Sequence, residues 1–139
     1  MRKNDPITST MSTDIQTVQV GQKLSEVHHL MANMGIHHVP IVDGSKLVGL
    51  ISFMDIMKLN LVLQGASEYT IGAIIDQQFT IREVMTTELV TIGNRESVRQ
   101  AAEKLSKGSF HSLPVIKESG DLTGIVTSSD LIRYLSDQY

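Results

Sequence analysis

Two short segments place a hydroxyl and a carboxylate three residues apart, where an apolar strand gives way to a helix. They are Gly49–Asp55 (GLISFMD) and Gly124–Asp130 (GIVTSSD). Ser52 and Thr127 would stand at a helix N-terminus, whose free N–H groups and positive dipole end suit a phosphate. The same spacing also predicts a capping box, in which the hydroxyl bonds the third helical N–H and the acid reaches back. The pattern by itself leaves both interpretations open.

The two acids, Asp55 and Asp130, could be taken for the paired carboxylates of a nucleotide hydrolase. A carboxylate beside a hydroxyl at a helix start suits a ribose diol better, because it offers two acceptor oxygens. The sequence contains no phosphate-cradling G-x-x-x-x-G-K-[ST] loop, no G-x-G-x-x-G turn and no G-x-S-x-G elbow. We therefore expect binding and no catalytic residues.

Histidines precede two of the predicted strands. His37 and His38 stand before Val39, and His111 and Ser112 stand before Leu113. An imidazole there could donate to a phosphate and gain charge near neutral pH, or it could be a hydrogen-bonded residue at a strand edge. A zinc site built from these residues with His28 and His29 is disfavoured. Adjacent helical residues do not face one point, and there is no cysteine.

These residues belong to an internal repeat. A shift of 74 positions, which becomes 75 after one inserted residue, aligns the two halves over about 50 residues. The aligned pairs are Met11 with Met85, His37 with His111, Pro40 with Pro114, Gly49 with Gly124, and Asp55 with Asp130.

Each half predicts the order β-α-β-β-α, which makes a mixed α+β protein. The segments are Gln16–Val20, a helix with the stripe Leu24, Val27, Met31 and Met34, strands Val39–Val42 and Leu47–Ser52, and a helix Met54–Leu63. The second half has Val90–Ile92, a helix with the stripe Val98, Ala101, Ala102 and Leu105, strands Leu113–Ile116 and Leu122–Thr127, and a helix Ser129–Ser136. We expect Asn94 as an N-cap, helix ends at Gly35 and Gly108, and a turn at Asp43-Gly44. Residues 7–63 and 80–137 form the repeats, and a packed connector spans 64–79.

The repeated unit resembles the CBS domain, named after cystathionine β-synthase, and the pair resembles a Bateman module. The resemblance rests on the Met-(Ser/Thr) start, the His-x-(Val/Leu)-Pro strand and the closing Gly-h-x-(Ser/Thr)-x-x-Asp pattern, and it covers about residues 7–136. It implies a tandem CBS domain pair with pseudo-two-fold symmetry and two related ligand clefts between the repeats.

The resemblance also implies roles for individual residues. Backbone groups at Ile15, Gln16, Leu89 and Val90 would read the adenine edge, and Ile36 and Phe110 would flank the base. His37, His38, His111 and Ser112 would contact phosphate, as would the hydroxyls of Ser52 and Thr127. Asp55 and Asp130 would receive the ribose hydroxyls. Ser12 and Thr86, in the Met-(Ser/Thr) starts, would line the same clefts. Phe110 could equally be plain core.

Composition limits the partners. The 139 residues carry 15 acids and 12 bases, and the net charge of −3 disfavours nucleic acid. There is no long apolar run or signal-like start, so we expect a cytoplasmic protein without a membrane span. Met1 favours a complete chain over a piece of a transporter or an enzyme subunit.

The predicted function is a non-catalytic regulatory module that senses energy state by binding an adenine nucleotide. AMP is favoured over ADP and ATP, because bases are sparse, and no other cofactor is implied. The family commonly forms homodimers, so we expect a homodimer that signals to an unknown protein target. The alternative is a structural or dimerisation module with vestigial clefts.

Overall fold

A computed structural model describes residues 5–60 and 68–139, with the backbone alone for residue 60 and residues 68–71. The predicted end of the first closing helix at Leu63, and residues 64–67 of the connector, lie outside the described residues. Contacts group the chain into two compact units. We call Gln16–Leu89 the central unit. The terminal unit joins the described part of Met1–Ile15 to Val90–Tyr139.

The central unit contains one three-stranded sheet and four helices among its described residues. The elements are β1 (Val18–Gln19), α1 (Leu24–Met34), β2 (His38–Asp43), β3 (Lys46–Ser52), α2 (Phe53–Asn60), α3 (Glu68–Gln78) and α4 (Ile81–Val84). The strand order is β1-β2-β3, with β1 parallel and β3 antiparallel to β2. Gly44, at a φ of 65°, makes the predicted hairpin turn.

The terminal unit repeats this topology after a 3-10 helix over Ile7–Ser9. Its elements are β4 (Ile92–Gly93), α5 (Val98–Lys107), β5 (Ser112–Ile116), β6 (Leu122–Thr127) and α6 (Ser128–Asp137). The order is β4-β5-β6, again with one parallel and one antiparallel pair. The predicted β-α-β-β-α order and the mixed α+β class are confirmed. The symmetry axis relating the repeats stays a prediction.

The first helix of each half buries a shorter apolar stripe than the sequence predicts. Leu24, Val27 and Met31 of α1 are buried, but Met34 is 54% exposed. Met34 is the last helical residue, since Gly35 ends the helix in the left-handed region and donates its N–H to Met31 O at 3.1 Å. In α5, Ala102 is exposed although Val98 and Ala101 are buried.

The N-cap predicted at Asn94 is wrong. The cap of α5 is Ser97, whose Oγ accepts from Gln100 N at 3.2 Å while Gln100 Oε1 accepts from Ser97 N at 2.8 Å. Asn94 instead donates its N–H to Ile116 O at 2.9 Å. The helix begins after Ser97 because Gln100, at the third helical position, completes a capping box with it.

The connector is partly helical, and its packing is confirmed in the described part. Ile75 of α3 is fully buried in the central core, Ile74 is half-buried and Ala73 is exposed. From the same helix, the Asp76 carboxylate accepts from Ser25 N at 2.9 Å and Ser25 Oγ at 2.5 Å. The connector therefore holds the start of α1 in place.

Each repeat begins with a Met-Ser or Met-Thr step, the initial segment, which pairs with the closing strand of the other repeat. Ser12 N donates to Ile125 O at 2.8 Å, and Ile125 N donates to Ser12 O at 3.0 Å. Thr86 and Leu50 exchange the same two bonds at 2.9 and 3.0 Å. Each compact unit consequently contains residues from both sequence repeats.

The glycine of each closing strand leaves room for the methionine of the initial segment. A Cβ on Gly124 would lie 2.7 Å from Ser12 O and 2.8 Å from Met11 Sδ. A Cβ on Gly49 would lie 2.8 Å from Met85 Cγ and 3.0 Å from Met85 Cβ. Its three nearest atoms all belong to the Met85 side chain, and none is a backbone atom.

Gly124→Ala should lower the free energy of unfolding by about 1–3 kcal/mol, because the new methyl meets a hydrogen-bonded backbone carbonyl. Gly49→Ala should cost less, since a rotamer change of Met85 can move its Cγ and Sδ away and leave only its Cβ, at 3.0 Å, in close contact. Urea denaturation measures both. Gly21→Ala, where nothing lies within 4 Å of the new Cβ, is the control. Equal costs at Gly49 and Gly124 would contradict this account of the two contacts.

Candidate functional site

The terminal unit places the predicted hydroxyl and acid where β6 meets α6. Thr127 Oγ1 accepts from Asp130 N at 3.1 Å, and Asp130 Oδ2 accepts from Thr127 N at 2.8 Å. This is a complete capping box. The cap holds the carboxylate in one orientation at the start of the helix, where the N–H groups of Thr127, Ser128 and Asp130 already have acceptors. We call the surroundings of this box the terminal strand-end site.

The central unit builds the same arrangement where β3 meets α2, the central strand-end site. Asp55 Oδ2 accepts from Ser52 N at 2.8 Å, and Ser52 Oγ accepts from Asp55 N at 3.3 Å. Here the Ser52 hydroxyl also donates to Asp55 Oδ2 at 3.0 Å. The Thr127 hydroxyl hydrogen has no acceptor among the described residues, so in the terminal unit the hydroxyl still has a proton to donate.

The second carboxylate oxygens differ as well. Asp130 Oδ1 faces Arg133 Nη1 at 3.3 Å, and Asp130 as a whole is 9% exposed. Asp55 is half-buried, and its Oδ1 has no hydrogen-bond partner within residues 5–60 and 68–139. The sequence analysis did not pair Arg133 with this acid. Its position three residues after the acid was the signal that could have paired them.

The predicted phosphate-contacting residues lie beside these boxes. Within the central unit His38 pairs across the strands with Ser52, and His37 O accepts from Phe53 N at 2.7 Å. The His37 ring is exposed, with its centroid 5.6 Å from that of Phe53. His38 is half-buried.

The terminal unit repeats these placements at its own strand end. Ser112 is buried and pairs across the strands with Thr127. The exposed His111 accepts at its carbonyl from Ser128 N at 2.9 Å.

The initial segments reach the same edges. Ser12 bridges Ile125, two residues before Thr127, and Thr86 bridges Leu50, two residues before Ser52. Both side chains are exposed. The structure thus brings together Ser12, His111, Ser112, Thr127 and Asp130 in one unit, and Thr86, His37, His38, Ser52 and Asp55 in the other.

The predicted base-contacting residues are placed less directly. Ile36 and Phe110 are half-buried and pack against the hydrophobic cores of their units. Ile15 and Leu89 are half-buried, Val90 is 44% exposed, and Leu89 N donates to Thr87 O at 3.0 Å. Ile15, Leu89 and Val90 lie in the sequence at the boundaries of the two units.

Gln16 lies beside α1. It lines an open cavity of about 720 Å³ together with Ser25, His28, His29 and Asn33 of α1 and with Gly72. His29 Nε2 is 2.7 Å from Asn33 Nδ2. Among the described residues no three His, Asp or Glu side chains are grouped to hold a metal ion. No helix in that part of the chain is long and apolar enough to cross a bilayer.

The paired units match a known family. The family model for the CBS domain matches twice, over residues 7–61 and 81–137. The chain belongs to the CBS-domain family. The predicted tandem CBS pair is therefore confirmed.

Relatives of this CBS pair agree. The CBS domain-containing protein YhcV of Bacillus subtilis (strain 168) is 30% identical over 125 residues, which cover 90% of this chain and 81% of YhcV. The CBS domain pair of protein MJ0100, solved in complex with 5′-methylthioadenosine and S-adenosyl-L-methionine, has a TM-score of 0.77 and 28% identity. The match covers 98% of this chain and 99% of that one.

A third likeness supports the fold alone. The structure of CBSX2 in complex with AMP has a TM-score of 0.80 at 21% identity, covering 96% of this chain and 97% of CBSX2. Other relatives are longer proteins. This chain spans between 19% and 48% of the length of four curated relatives that it matches.

Proposed function

We propose that this CBS pair is a non-catalytic regulatory module that binds an adenosine-containing ligand at its strand-end sites and signals to a protein partner. The observation that carries the proposal is the same anchored hydroxyl and carboxylate at two equivalent strand ends. A related CBS pair, that of MJ0100, holds two adenosyl ligands. Energy sensing and a cytoplasmic location are part of the proposal.

The capping box and ligand binding are compatible. In the terminal unit the cap uses Asp130 Oδ2 and one lone pair of Thr127 Oγ1. A carboxylate has about four lone-pair positions, so Asp130 can still receive ribose hydroxyls. The hydroxyl proton of Thr127 and the N–H of Ser129, at the start of α6, can donate to a phosphate. The exposed ring of His111 can add a further hydrogen bond.

AMP is the ligand that we favour within the adenosyl class. The monophosphate matches the hydroxyl donor of Thr127, the start of α6 and the neighbouring His111 at the terminal strand end. A triphosphate would need more positive charge than the 12 bases of this acidic chain readily supply. The terminal site is the better candidate, since in the central unit Ser52 already donates its hydroxyl proton to Asp55.

A structural role is the second candidate, and exposed apolar side chains favour it. Met54 of α2 is 61% exposed and Met57 is 40% exposed, while Ile132 of α6 is 67% exposed. Apolar residues on a helix surface suit contact with another chain. In this candidate the strand ends serve only as helix caps, and the module acts through homodimer formation.

The two candidates differ in thermal stability with ligand. Binding to the folded state raises the melting temperature by mass action. Millimolar AMP, ADP, ATP, 5′-methylthioadenosine and S-adenosylmethionine should include at least one ligand that raises it by several degrees, with AMP giving the largest shift. Guanosine monophosphate is the control for the phosphate and sugar. An absence of any shift across the adenosyl panel would favour the structural module.

Asp130→Ala should weaken AMP binding at least tenfold, since hydrogen bonds to a charged group are worth about 1.5–3 kcal/mol. It should lower the free energy of unfolding by only about 1 kcal/mol, the usual cost of a lost cap. Gln100→Ala is the matched control, because Gln100 completes a capping box in the same unit away from the site. Calorimetric titration and urea denaturation measure the two effects. Unchanged AMP binding by Asp130→Ala would leave Asp130 as a cap alone.

AMP should bind more tightly than adenosine, because a histidine at the strand end can donate a hydrogen bond to the phosphate that adenosine lacks. Calorimetric titration of both ligands measures the difference.

The single variants His37→Ala, His38→Ala and His111→Ala then locate the responsible residue. His29→Ala, on α1 beside Asn33, is the control. Equal losses of AMP and adenosine affinity in every one of these variants would refute the histidine contact.

A further inference from the structure

The ion pair of Arg133 with Asp130 bears on ligand preference, and the inference rests on the proposed function. We propose that Arg133 is the specificity residue of the terminal strand-end site, where it selects adenosyl ligands that carry a phosphate over those that are neutral or cationic at the 5′ position. Its guanidinium contacts the second carboxylate oxygen of Asp130, and that carboxylate is the group proposed to hold the ribose.

The geometry puts the guanidinium against the ligand-binding carboxylate. Arg133 Nη1 lies 3.3 Å from Asp130 Oδ1, while Oδ2 is taken by the backbone of Thr127. Oδ2 keeps a second lone pair, so a diol that bridges both oxygens must also use Oδ1, the one that faces Arg133. A ribose that binds there must share Oδ1 with the guanidinium or displace it.

The two partners differ in freedom to move. The Asp130 side chain is 11% exposed and is anchored by the cap, whereas the Arg133 side chain is 69% exposed. The guanidinium is largely in solvent, and the carboxylate keeps its bond from Thr127 N when the pair opens, so the guanidinium can leave at small cost. A planar guanidinium has five N–H donors and can grip a phosphate with two of them. The 5′ phosphate lies one sugar ring away from the hydroxyls that occupy Asp130.

Ligand charge then decides the outcome. When the guanidinium loses its contact with Oδ1, a nucleotide phosphate can accept its hydrogen bonds instead. A neutral 5′-methylthioadenosine offers no such compensation, and the sulfonium of S-adenosylmethionine is repelled. The central unit lacks this arrangement, since Lys58, the equivalent residue, makes no ion pair with Asp55 among the described residues. Selection for phosphate should therefore be a property of the terminal site.

The test compares ligands on the full chain by calorimetric titration. Arg133→Gln should weaken AMP binding by about tenfold to a hundredfold, through loss of a charge-assisted contact. Binding of 5′-methylthioadenosine should stay within about twofold or tighten, and S-adenosylmethionine should tighten. Arg133→Lys, which keeps the charge but not the fork, should lie between wild type and Arg133→Gln for AMP. The melting temperature of ligand-free Arg133→Gln should stay within about 3 °C of wild type.

Arg99→Gln is the matched control. The Arg99–Glu103 pair has the same 3.3 Å separation and a 66% exposed arginine, and it lies on α5 of the same unit. That variant removes the same charge and should leave the preference for AMP over 5′-methylthioadenosine unchanged.

The outcomes separate this inference from the proposed function. Equal losses of AMP and 5′-methylthioadenosine in Arg133→Gln, or no loss of either, would overturn the role of Arg133 while leaving adenosyl binding in place. Wild-type protein that binds no adenosyl ligand would overturn the proposed function and this inference with it. If Arg133→Gln does not fold, the ratio of the two affinities in Arg133→Lys decides.

Discussion

The exchange of initial segments is the constraint on which both units of this protein depend. Met11-Ser12 lies on the closing strand that contains Gly124, and Met85-Thr86 lies on the one that contains Gly49. Each contact combines two backbone hydrogen bonds with a thioether packed over a residue that has no side chain. Because each segment comes from the opposite sequence repeat, neither repeat alone supplies the whole hydrophobic core of a unit.

The strand ends follow from that exchange. Two residues of each closing strand follow the bridged residue, Ile125 or Leu50, before the helix starts. The second of them carries the hydroxyl of the capping box, and the acid follows three residues later in the helix. Capping holds the carboxylate still, and a carboxylate held in one orientation is better prepared for a diol than a mobile one. The stabilising role and the binding role thus use different atoms of the same side chains.

Small differences between the equivalent residues make the two strand ends chemically unequal. Serine at position 52 turns its hydroxyl proton to Asp55, whereas Thr127 keeps its proton available. Arg133 reaches back to its acid and Lys58 does not. A duplicated unit can in this way keep one architecture while its two sites differ in the charge that they present.

The amino-acid sequence by itself determined the architecture. The repeat, the spacing of apolar residues and turn signals such as Asp43-Gly44 are local patterns, and local patterns decide where strands and helices form. They were sufficient for the CBS family, the β-α-β-β-α order and the Ser/Thr-x-x-Asp segments. They were less reliable at helix ends, where Ser97 outcompeted Asn94 because its partner Gln100 completed the cap.

The tertiary structure decided which residues meet over long separations in sequence. The pairing of Ser12 with Ile125 joins residues more than a hundred positions apart, and no local pattern encodes such a pairing. The reason for Gly49 and Gly124, the cavity beside Gln16 and the ion pair at Asp130 likewise appear only when side chains occupy space together. Sequence spacing shows which groups can do chemistry. Packing, which depends on volume and distance, decides which of them are in reach of one another.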